Sequence, residues 1–342
     1  MMSNQSAASG VAVLKREAGQ FKLQRVIPIQ GGPAGLVLTH DGKVLVVAAG
    51  KAIVMLDTAR MISGAADPIL ANFADGPRAG SIYVNITAND KLLFVSDENA
   101  QTISVIDLNH VRTSGFENAA IIGKIPVGIA PIALTFSPDG RWLYTTSEIA
   151  PSDWGWPSTF NPERADPDQP NALVPAGAVV VVDIAKAATD PAHCVVARVP
   201  AGASPVRMTI SPNGQRIYVT ARGSNAVLVF DAAKLVTDSQ HAQLASVAVG
   251  ASPVPLALIQ GGKLLVVGNS NRFSADAAAP QTLSVLDVTR IGQSDAVICA
   301  IATGAFPREM CLSSDGQLLF VTNFGSNALQ IIDAQNPPID RK

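Results

Sequence analysis

The stretch VPAGASPVRMTISPNGQRIYVTARGSNAVLVFD, residues 199–231, decides the fold. An apolar run at 206–210 enters Ser211-Pro212-Asn213-Gly214, a second run follows at 217–220, and a third at 226–230 stops on Asp231. Asn-Gly between two apolar runs is a strong hairpin signal. Glycine accepts positive φ without a steric penalty, and the Asn side chain bonds its own backbone. Runs this short, rich in Val, Ile and Tyr, are strands rather than helical turns.

The same parts recur in order along the chain. The turn appears as His40-Asp41-Gly42, Ala88-Asn89-Asp90, Pro138-Asp139-Gly140, Gln260-Gly261-Gly262 and Ser314-Asp315-Gly316. The third strand of each unit closes on Asp57, Asp107, Asp183, Asp231, Asp287 and Asp333, successive intervals being 50, 76, 48, 56 and 46 residues. A period near 50 with four short strands is a propeller blade. The expected fold is therefore all-β: a single β-propeller domain over 1–342, with six blades favoured and seven as the alternative. Its units run approximately over 30–76, 77–127, 128–201, 202–251, 252–303 and 304–333. The long intervals hold insertions at 147–177 and 270–281. Only nine residues follow Asp333, so the segment 21–29 is expected to close the sixth unit as its outer strand. A further strand-like run at 10–14 is either an edge strand beside 21–29 or part of a seventh blade.

The recurring Asp is read as structural, its carboxylate accepting backbone N–H groups just after the third strand. Composition narrows the function. Net charge is −2, with no basic run to follow a phosphate backbone, so nucleic acid is a poor partner. The aliphatic runs are strand-sized and too short to cross a bilayer, and no signal peptide is visible. Cys194, Cys299 and Cys311 lack paired spacing, and His40, His110, His193 and His241 are scattered over four units. Neither set suggests a metal or a hydrolytic triad, and no cofactor is expected. Glu163, Asp166 and Asp168 offer oxygen ligands but lack the ordered loop of a calcium site.

The repeat resembles the YVTN repeats of the YncE-like β-propellers, most closely in Tyr218-Val219-Thr220-Ala221 and Phe320-Val321-Thr322-Asn323, from about residue 21 to 333. That resemblance implies a propeller, commonly of seven blades. It also implies a periplasmic or secreted location and binding or interaction roles. The wider group of seven-bladed propellers includes lactonases. The shared motif is structural, so it transfers no site residue.

Two features stand outside the repeat. Arg78, Arg207 and Arg308 follow prolines near the start of first strands, and three guanidiniums converging from different blades would attract a small anionic ligand. Glu309 and Glu98 are placed to neutralise them instead. The 147–177 insertion carries Glu148, Trp154, Trp156 and Phe160 among prolines, an aromatic loop suited to covering a ligand or presenting a surface to an unknown protein partner. The leading expectation is a non-enzymatic binding or interaction module that uses this rim and the channel mouth. The alternatives are a lactonase-like hydrolase of a small anionic substrate and a structural exported or cell-surface protein.

Overall fold

The computed structural model describes residues 9–161, 173–272 and 281–338. The chain is all-β and built of propeller blades. Five antiparallel four-stranded sheets and one three-stranded sheet cover residues 36–74, 81–126, 129–200, 205–248, 253–302 and 307–333, here blades one to six. Blades one, two, four and five run in simple spatial order, and blade three keeps that order around its insertion, which adds a two-stranded ribbon of Ser158–Phe160 and Leu173–Pro175.

Turn and capping chemistry follow the repeat. A hydroxyl two residues ahead of the turn Asp or Asn donates to it in the pairs Thr39–Asp41, Thr87–Asn89, Ser137–Asp139, Ser211–Asn213 and Ser313–Asp315. Blade five turns instead on positive φ at all three of Gln260, Gly261 and Gly262. Each closing Asp accepts backbone N–H groups two or three residues on: Asp57 from Arg60, Asp107 from His110, Asp183 from Lys186, Asp231 from Ala233 and Lys234, Asp287 from Thr289, and Asp333 from Gln335 and Asn336. For Asp57, Asp107, Asp183 and Asp287 this is N-capping of a short helical turn.

By compactness the chain divides into two units, one comprising the described residues up to Leu134 with Asp183–Val195, the other Thr135–Val182 with the described residues from Val196. In the first, Val46 and Met55 of blade one meet Val84 and Val95 of blade two in a continuous apolar layer. In the second, Val227 and Val229 of blade four meet Leu265 and Val267 of blade five, whose other face packs on Met310 and Val321 of blade six. Alternation along each strand supplies both faces of every sheet.

The strand-like run at 10–14 lies beside 21–29. Gln20–Pro28 pairs with Gly10–Glu17 in a hairpin of its own, and the sixth sheet has three strands. Ala18 and Gly19 have φ of 48° and 83°, the primed turn that suits a two-residue hairpin, so the local partner forms with little loop entropy. Val11, Ile27 and Ile29 then pack on Leu45, Val47 and Leu56 of blade one, as a partial further blade would.

Candidate functional site

The first strands of blades two, four, five and six share a defect near their start. Register slips between Ser81 and Tyr83, Pro205 and Arg207, Pro253 and Leu256, and Pro307 and Glu309. In front of three of those prolines stand Ser204, Ser252 and Phe306, all with φ between +46° and +51°. Non-glycine residues there are strained, and a bulge re-aims the side chain that follows it.

In the second unit that side chain is charged. Arg207 of blade four is nine-tenths buried, and its Nε donates to Glu309 Oε2 of blade six at 3.1 Å. Arg207 and Glu309 each stand two residues after the strand-opening proline, and each donates its backbone N–H to an equivalent hydroxyl, Thr220 Oγ1 and Thr322 Oγ1. Blade five carries Pro255 at this position, so the arginine reaches its partner past an uncharged neighbour. Glu309 keeps 38% of its side chain exposed, which leaves carboxylate surface open to a ligand or water.

A second pair is sealed. Glu148 ends the second strand of blade three, and Arg222 follows the second strand of blade four. Arg222 Nη2 donates to Glu148 Oε1 at 3.1 Å, with side chains 9% and 5% exposed. Both occupy the same repeat position, four residues after the paired tyrosines Tyr144 and Tyr218. Nearby, Asn161 Nδ2 donates to Ser204 Oγ at 2.8 Å, pinning one leg of the insertion to the strained turn before blade four.

Other expected residues fall elsewhere. Ser81, not Pro77, stands in register with Pro205 and Pro307, so Arg78 is an exposed turn residue three positions ahead of its strand. It does not occupy the position of Arg207 or Arg308. Arg308 precedes Glu309 by one residue and packs over Phe324 at 4.8 Å. Phe324 stacks edge-on with Phe306 at 5.6 Å, and Arg272 lies 5.3 Å from the Phe306 ring. Glu98, half-buried, follows the second strand of blade two. The aromatic residues of the insertion have neighbours within blade three. Trp154 and Trp156 stack on each other at 4.9 Å, and Arg198 of blade three's own outermost strand lies 4.9 Å from the Trp154 ring. Phe160 is half-exposed on the inserted ribbon. Glu163, Asp166 and Asp168 lie outside the described residues.

Arg222, Asn161, Phe306 and Phe324 were not singled out from the sequence. The signal available was columnar: Phe306 stands where blades four and five have serine, and Arg222 and Phe324 share a column with Ser270. Among the described residues, no three His, Cys, Asp or Glu side chains gather as a metal site. His40, His193 and His241 each bond a carboxylate, of Asp90, Asp190 and Asp238, at 2.7–2.9 Å. Burial pushes the Cys194 thiol up to about 11, so it is unreactive.

The chain resembles solved structures over almost its full length. A hydrazine synthase from Kuenenia stuttgartiensis aligns with a TM-score of 0.68 at 16% identity, covering 96% of this chain and 90% of that one. A periplasmic gluconolactonase from Pseudomonas aeruginosa aligns with a TM-score of 0.68 at 17% identity, covering 96% and 89%. At such identity these likenesses speak for the fold alone. No curated protein matches in sequence. The family described as Lactonase, 7-bladed beta-propeller matches residues 165–337, half of the chain. This match overturns the expectation of a non-enzymatic binding module. The chain belongs to the lactonase family of seven-bladed β-propellers.

Proposed function

We propose that the protein is a lactone hydrolase whose substrate carries a negative charge, and that Arg207 and Glu309 form the reacting centre. The observation that carries this reading is the 3.1 Å contact between two side chains 102 residues apart, on the bulged first strands of blades four and six, with the carboxylate partly open. Opening a lactone needs a base for the attacking water, positive charge for the carbonyl oxygen as it becomes an oxyanion, and a proton for the departing alkoxide. Glu309 takes the proton from water as the new C–O bond forms. The Arg207 guanidinium stabilises the oxyanion. The ring C–O bond then breaks, and the proton on Glu309 passes to the alkoxide, leaving a hydroxy acid. Arg308, held over Phe324, supplies a second cation for the substrate's carboxylate or phosphate. Glu148 and Arg222, almost sealed, position the wall between blades three and four.

A periplasmic or secreted location is part of this proposal. It is supported by the gluconolactonase likeness and by the similarity of the strands to YVTN repeats, which we read as a feature of the scaffold. The test is a pH-stat assay on five- and six-membered lactones, with and without a carboxylate or phosphate. Glu309→Gln and Arg207→Met are each expected to lower kcat/KM by about 100-fold or more. Hydrolysis no faster than in buffer across the panel, or full activity in both variants, overturns the reading.

A further inference from the structure

At the opposite end of the same strands, the hairpin turns of blades three and four flank an open pocket of about 280 Å³. Tyr144 and Glu148 are four residues apart on one strand, so the cavity lies about 13 Å along it from the Glu148–Arg222 pair. Its mouth depends on Gly214, φ +71°, where an added Cβ would come within 3.2 Å of Pro138. Its floor is Tyr144, whose side chain is 2% exposed and whose hydroxyl has no hydrogen-bond partner among the described residues. Tyr218, the equivalent residue of blade four, has its hydroxyl sealed inside the protein, whereas Tyr144 lines open space.

The walls define what fits. Burial pushes the Tyr144 phenol up to about 12, so it stays protonated and offers a donor. Asp139 uses Oδ1 on Ser137 Oγ and the Arg141 N–H, leaving the other oxygen free to accept. The Ser137 hydroxyl holds its carboxyl below the usual carboxylate range, so the charge persists at neutral pH. Arg141 lies over one face of the Trp142 ring at 4.4 Å, and the charge carried by the walls themselves is the Asp139 carboxylate, which disfavours an anion. The half-buried Trp142 contributes an aromatic wall, and Asn213 has one amide hydrogen left after bonding Gln215. Buried donors without partners cost stability unless water or a ligand satisfies them.

We propose that this cavity binds a small uncharged polyhydroxylated molecule, of monosaccharide size, with one hydroxyl accepting from Tyr144, another donating to Asp139, and a C–H face against Trp142. Hydroxyls both donate and accept, which meets the Tyr–Asp pairing. The volume equals about nine waters at roughly 30 Å³ each, at the small end of ligand sites. The site is separate from Arg207 and Glu309, so it stands whether or not the hydrolase reading holds.

The experiment is saturation-transfer NMR together with Trp fluorescence on the full chain, using glucose, galactose and xylitol as probes and gluconate as the charged control. Saturable binding of at least one neutral probe is expected. It should weaken about tenfold in Tyr144→Phe, the value of one neutral hydrogen bond, and persist in Glu309→Gln. Tyr144→Phe keeps the ring and should fold with an unchanged or higher Tm. Asp139→Asn gives a second variant with weakened binding. No binding by any neutral probe, which would mean a cavity holding water only, overturns the proposal. Binding that Tyr144→Phe leaves unaltered, or that gluconate matches, overturns it equally.

Discussion

Replacing Glu148 by glutamine keeps the shape and an acceptor oxygen but removes the carboxylate charge that the Arg222 guanidinium, its side chain 9% exposed, meets at 3.1 Å. Removing one partner of a buried ion pair costs about 3–5 kcal/mol, because the remaining charge stays desolvated. The retained acceptor argues for the lower end, about 3 kcal/mol. At about 2.1 cal/mol/K per residue, 342 residues unfolding together have a melting entropy of about 0.7 kcal/mol/K, so Tm falls by about 4 °C. If the two compact units melt separately, the whole shift falls on the transition of the unit holding the pair, and is larger. Differential scanning calorimetry of Glu148→Gln, Arg222→Met and the double variant reads this directly. The double variant removes both charges and should regain at least half the loss, since apolar replacements of buried pairs are often neutral. A single-variant shift below about 1 °C, or a double variant equal to the sum of the singles, would refute the claim that the pair is buried and coupled.

Acid should unfold the protein through its turns. Hydrogen bonds from Thr39, Ser137 and Thr289 hold Asp41, Asp139 and Asp287 below the ordinary 3.8, and backbone bonds from Asn336 and Gln335 do so for Asp333. A lowered folded-state pKa contributes stability that is present above 3.8 and lost as pH falls through the lowered value. Tm should therefore drop on acidification below about pH 4, and Asp287→Asn should flatten that limb in a pH series of melts. Lys124 Nζ lies 3.0 Å from Asp97 Oδ2 and 3.5 Å from Asp75 Oδ1, both carboxylates being fully buried. Burial raises Asp75, so Lys124→Met should destabilise more at pH 7 than at pH 4, where protonation removes the uncompensated charge. An equal Tm loss at both values would count against it. Gly177→Ala would place a Cβ 2.1 Å from Pro205 Cδ and 2.5 Å from the Glu148 carbonyl, displacing the insertion from blade four. A loss of about 1–3 kcal/mol in urea titration is expected, with Gly42→Ala, where the added Cβ meets open space, as the comparison for the backbone term.

The blades were legible because their signals are local. A Ser or Thr, then Asp or Asn, then Gly, fixes the hairpins of blades one, three, four and six, and the closing Asp accepts backbone N–H groups of the next turn within three residues. What depends on contacts between repeats was not. The position of Arg78 was misjudged because Pro77 imitates the strand-opening prolines, while the bulge that defines strand phase begins at Ser81. The pairing of 10–17 with 20–28 was legible as a strand-like run beside 21–29, since a hairpin between neighbours in sequence costs little loop entropy. The cation beside Trp154 was not legible either, because Arg198 stands on the same blade's outer strand, 44 residues on. Function was misread for a related reason. The repeat preserves backbone geometry, so its motifs carry no chemistry, and their lack of catalytic signatures does not argue against an enzyme.

In both ion pairs, the charges sit at one repeat position occupied differently in different blades. Glu148 and Arg222 share one column, Arg207 and Glu309 another, and blades two and five fill the second with Tyr83 and Pro255. A repeat holds its equivalent positions in equivalent surroundings, so opposite charges in one column are brought to matching depths and can meet without rebuilding the backbone. The bulge at the head of the first strand helps, since it is a feature of the fold that turns whichever side chain follows the proline. A site of this kind is a difference between repeats and is invisible in any one of them. It appears when the six units are aligned by the register of their strands rather than by their prolines, and that alignment brings Arg207 beside Glu309.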